Sequence, residues 1–64
     1  MSITVEEGRT YLLAAIDREK VKGSVQGTIT VADKLLIEIQ GDHPDMKISE
    51  IADIIFPIVD ELIS

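Results

Sequence analysis

SVQGTITVADKLLIEIQ, residues 24–40, admits two readings. Its first half alternates polar and apolar side chains, as a half-buried strand does. Val25, Gly27, Ile29 and Val31 point one way, and Ser24, Gln26, Thr28 and Thr30 the other. A lone strand leaves its amides and carbonyls unpaired, so it needs a neighbour. Residues 35–40 supply one if Ala32, Asp33 and Lys34 form the loop. Val31 then faces Leu35, Ile29 faces Ile37, and Gly27 faces Ile39. Of the opposite face, only Leu36 is out of place. A slip of one residue would scramble this pattern, which specifies the register. The loop lacks the glycine that a three-residue hairpin favours.

The rival reading is a helix from Val31 to Gln40, capped by Thr30 with Asp33 three residues on. Ala32, Leu35, Leu36 and Ile39 form its stripe, with Ile37 the single misfit. Residues 31–40 fit both readings about equally. The alternation over residues 24–31 breaks the tie, because it is wasted unless a strand follows to pair with it. The hairpin is therefore expected.

On either side the pattern is helical. Thr4 followed by Glu7 is a capping-box pair, and Glu6 and Glu7 suit the positive end of a helix dipole. Val5, Gly8, Leu12, Ala15 and Ile16 make one stripe. Gly8 costs about 1 kcal/mol of helix propensity relative to alanine. With Ala15 it leaves room for a close neighbour. Gly23 is the expected stop. Gly41-Asp42-His43-Pro44-Asp45 reads as a loop. A second helix is expected from about Lys47 to Ile63, with Asp45 or Ser49 near its start. Its apolar arc is wider than the ~100° that a one-sided surface helix needs. Pro57 falls at the centre of its polar side, where water can satisfy the freed carbonyl of Asp53. A break at Phe56, giving two short helices, is the alternative there.

The fold class that follows is α+β, in the order helix, β-hairpin, helix. Residues 1–64 would form a single small domain, both helices covering one face of a small antiparallel sheet. The alternative is an all-α bundle of three or four helices, with residues 21–29 as a linker. The helix–hairpin–helix order is similar to that of small bacteriophage head-to-tail joining proteins. That similarity lies in element order alone and implies no site residue. Residues 47–55, KISEIADII, resemble the first helix of a helix-turn-helix, but no turn follows them and the charge is wrong for DNA.

The formal charge is −6 and unevenly spread. Up to Lys22, the acids Glu6, Glu7, Asp17 and Glu19 are balanced by Arg9, Arg18, Lys20 and Lys22. Beyond it Lys34 and Lys47 are the only bases, so the deficit lies in the later part of the chain. Such a surface repels a phosphate backbone and disfavours direct nucleic-acid binding. The chain has no cysteine, and hence no disulfide and no thiolate metal site. Its one histidine, His43, cannot build a zinc site alone. No segment is apolar for long enough to span a bilayer. The early glutamates do not fit a secretory signal, so the cytoplasm is the expected compartment.

Three groups of residues could carry function. Glu50, Asp53, Asp60 and Glu61 line one side of the last helix, uninterrupted by any base after Lys47. This ridge is a solvated face or a docking surface for a basic protein. Asp42, His43 and Asp45 gather two carboxylates and an imidazole in one loop. The bland reading is a polar turn whose aspartates cap a helix; an ion site would need three or four convergent ligands. Arg18, Lys20 and Lys22 could touch a phosphate, but no aromatic residue interleaves them and they suit the end of a helix. No nucleophile–histidine–acid set and no glycine-rich phosphate loop is present, so neither catalysis nor a cofactor is expected.

The chain is 45% hydrophobic, which is rich for so short a length. Leu13, Leu36, Phe56, Leu62 and Ile63 are the residues expected at a contact with a partner or a second copy. The leading functional expectation is therefore a small acidic protein-interaction module, regulatory or inhibitory and of bacterial or phage type. The alternative is a self-associating assembly subunit, a homodimer or higher homo-oligomer. A metal-binding or enzymatic role at Asp42, His43 and Asp45 ranks a distant third.

Overall fold

Ser24 settles the reading of residues 24–40. In the computed structural model, which describes residues 2–64, its hydroxyl oxygen accepts the Gly27 amide at 2.9 Å. Its extended backbone then turns into an unbroken helix. Three helices make up the fold: α1, Val5–Glu19; α2, Val25–Asp42; α3, Ile48–Ile63. No strand occurs among the described residues. The expected α+β helix–hairpin–helix is thus corrected to an all-α arrangement, the class of the bundle alternative, but α2 begins at Val25, so residues 21–29 are not the linker expected there. The likeness in element order to phage joining proteins rested on the hairpin and lapses with it.

The physical reason lies in the packing of α2. Thr28, Val31, Ala32, Leu35, Leu36 and Ile39 recur at steps of three and one, and all are buried. The alternation before Ala32 does not mark one face: Val25 is 52% exposed, while Val31 is buried. Ile37, the misfit of the helical reading, is 72% exposed. Thr28 is a buried polar residue that interrupts the apolar signal. Its hydroxyl donates to the Ser24 carbonyl at 2.8 Å, and Thr30 does the same to Gln26 at 3.0 Å. Back-bonding of this kind lets a hydroxyl lie against or within a helix at little cost.

The capping box of α1 is present. The Thr4 hydroxyl accepts the Glu7 amide at 3.0 Å, and the Glu7 carboxylate accepts the Thr4 amide at 2.8 Å. Gly8, Leu12, Ala15 and Ile16 are buried, but Val5 is exposed. The helix stops at Lys20, in the left-handed region at φ 57°, earlier than the expected stop at Gly23. Gly23 takes φ 85° inside the turn that follows. At the head of α3 the Glu50 carboxylate accepts the Lys47 amide at 2.9 Å, in place of a cap by Asp45 or Ser49. Pro57 lies within a continuous α3, which does not break at Phe56.

The connectors are short, so successive helices run antiparallel and α1 lies alongside α3 in the same sense. Gly8 permits the α1–α3 approach: a Cβ there would come within 2.9 Å of Ile54 Cγ2. Leu12, Leu35, Ile39, Ile51, Ile55 and Val59 form the centre of the core. Ile3 and Met46, outside the helices, are buried with it. Each such side chain contributes roughly 1.5–3 kcal/mol relative to an exposed one. The accessible surface is 4205 Å² for 7.0 kDa. A folded monomer of that mass exposes about 4,000 Å², so the bundle absorbs most of its aliphatic residues unaided. No helix is long and apolar enough to cross a membrane among the described residues.

Candidate functional site

The four ridge carboxylates Glu50, Asp53, Asp60 and Glu61 all lie on the exposed side of α3, with Pro57 among them. They are not equivalent. Glu50 is engaged at the start of its own helix. Glu61 accepts from the Arg9 guanidinium at 2.9 Å and so ties α3 to α1. Among the described residues, Asp53 and Asp60 have no ion-pair partner for their carboxylates. The other arginine, Arg18, reaches Glu38 on α2 at 3.4 Å. Both arginines are thereby drawn to α1's own neighbours, and the outer face of α3 keeps only negative charge beyond Lys47.

The loop at 41–45 is put to structural use. Asp42 ends α2, and its carboxylate accepts the Tyr11 phenol at 2.9 Å. That hydrogen bond, followed by partial burial, pushes the Tyr11 phenol above its usual range. The His43 amide donates to the Ile39 carbonyl at 2.8 Å, closing the last turn. Among the described residues, no three His, Asp or Glu side chains converge as metal ligands would. The Tyr11–Asp42 pair is a feature that sequence reasoning missed. Its signal was present: a single tyrosine on the flank of an amphipathic helix, whose hydroxyl needs a partner.

The five expected contact residues divide. Leu36 faces the core at 8% exposure, and Phe56 and Ile63 pack against the core half-buried. Leu13 and Leu62 are 47% and 41% exposed. The fold brings these two together across a groove of about 490 Å³ between α1, the α1–α2 turn and the ends of α2 and α3. Ile16 and Thr28 form its floor, and Asp17 and Lys22 stand on its rim. Arg18, Lys20 and Lys22 gather at this end of the molecule, all solvent-exposed.

Comparison with protein-family models, curated proteins and solved structures gives no match to this chain. The functional reading therefore rests on the surface of the bundle itself.

Proposed function

We propose that the chain is a small non-enzymatic interaction module of regulatory or inhibitory type, acting in the cytoplasm on a basic protein. The partner docks on the outer face of α3. One observation carries this reading: Asp53 and Asp60 stand on that face with no ion-pair partner among the described residues, while Arg9 is held by Glu61 and Arg18 by Glu38. An isolated helix normally gains from interspersed opposite charge, by a few tenths of a kcal/mol per pair. A face that forgoes this gain offers its charge to something outside the chain. Complementary charge speeds encounter with a basic surface and excludes acidic competitors.

The test is capture of binding proteins from lysate by the purified chain at low and high salt, read by mass spectrometry. A basic protein should be retained at low salt and released at high salt, as screening shortens from about 8 Å at physiological strength to about 3 Å at 1 M. Asp53→Lys with Asp60→Lys should abolish its retention. Capture indifferent both to salt and to this charge reversal would overturn the reading.

A further inference from the structure

We infer that the groove between Leu13 and Leu62 seats a second copy of this chain, in a two-fold contact. This surface is separate from the acidic face of α3, and the inference stands without the reading above.

Charge selects the occupant. Of the residues that line the groove, only Asp17 and Lys22 are charged. That one acid and that one base balance. The whole excess of −6 therefore sits on the rest of the chain. Two copies that approach by the rest of the surface meet repulsion on balance; at this groove they do not. The rim is also self-complementary. Among the described residues, neither Asp17 nor Lys22 has a side-chain partner within the chain, and the two stand on one groove. A two-fold axis makes every contact between different residues occur twice. Lys22 of each copy then meets Asp17 of the other, while the Leu13 and Leu62 side chains close over one another. A partner of one sign gains at one rim charge and loses at the other, whereas a second copy answers both.

Ile37 is more exposed than either leucine but does not compete as a site. It stands on the outer side of α2 among Asp33, Lys34 and Glu38, and a single apolar residue on a polar face requires no partner.

Sedimentation equilibrium of the purified chain alone, from micromolar to millimolar concentration, tests the inference. The expected result is a reversible monomer–dimer equilibrium. Leu62→Glu, and independently Leu13→Glu, should raise the dissociation constant by at least about tenfold, since each removes an apolar anchor from the centre of the contact. Both side chains are already substantially exposed, and a retained helical spectrum shows that each variant folds. Lys22→Glu should weaken the dimer severalfold, and adding Asp17→Lys should restore it. A chain that remains monomeric at millimolar concentration would overturn the inference. So would a dimer that tolerates both leucine variants, or one that the paired charge swap does not rescue.

Discussion

A methyl group added at Gly41 meets nothing within 4 Å, whereas one added at Gly27 would lie 2.7 Å from the Cβ of Val21. Both glycines belong to α2, so alanine brings the same gain in helix propensity at each, up to about 1 kcal/mol. At Gly41 nothing opposes the gain, and Gly41→Ala should stabilise the protein by roughly 0.5–1 kcal/mol. At Gly27 the obstructing atom is fixed to the backbone and cannot swing away. Overpacking of that kind costs about 1–3 kcal/mol, so Gly27→Ala should be destabilising. Urea unfolding of both variants, with unchanged denaturant dependence, checks the opposite signs. Tyr11 gives a second prediction at this scale. It is the only tyrosine and the chain has no tryptophan, so phenolate absorbance reports on it alone. The bond to Asp42 holds its pKa above the unfolded value. The stabilisation it provides is complete below the unfolded pKa and is lost as pH rises through the folded one. Asp42→Asn should move the titration midpoint down; an unmoved midpoint would mean that the bond does not form.

At the scale of elements, α3 is the test of what a proline does inside a helix. Pro57 removes the amide that would bond the Asp53 carbonyl, at an intrinsic cost of about 3 kcal/mol. Its place on the solvent side lets water take the carbonyl and spares the core. Pro57→Ala should therefore raise stability by roughly 1–3 kcal/mol, or at least about 4 °C in Tm by calorimetry. The limits of α3 and the position of this residue on its polar side are legible in the sequence, as is the capping box of α1. The acidic face is legible for the same reason, because it needs only the helical period of α3. The helix α2 is not. Its first turns are rich in β-branched residues, Thr28 to Val31, and its buried stripe begins with a threonine rather than an aliphatic residue. Over so short a span, periods of two and of 3.6 share several positions. The Ser24–Gly27 cap carries the deciding information, but glycine at that place looks like a strand irregularity. Leu36 is mis-sorted as a consequence: on a strand it faces outward, on the helix it is buried in the core. The meeting of Leu13 with Leu62 depends on how α1 and α3 lie side by side, which no local pattern encodes.

The whole molecule carries twelve acids against six bases. The ion pairs Arg9–Glu61 and Arg18–Glu38 relieve part of this, and both are exposed, so each is worth little by itself. Self-repulsion opposes the compact state. Moderate salt should then raise the melting temperature of the free chain, measured by circular dichroism, while weakening any complex formed through the face of α3. The two responses have opposite signs because the same carboxylates repel one another within the chain and attract a base outside it. A melting temperature that falls with salt would show that attractive pairs dominate the fold instead.

The short connectors between the helices, residues 20–24 and 43–47, have a kinetic meaning. Most native neighbours of a residue lie in its own helix or in the next one along the chain, so little chain entropy is spent before contacts begin to form. Topologies of that kind cross their folding barrier in microseconds to milliseconds, against a limit of about 0.6 μs for a chain of this length. Such a chain spends little time with its aliphatic stripes uncovered, which protects it from clumping on leaving the ribosome.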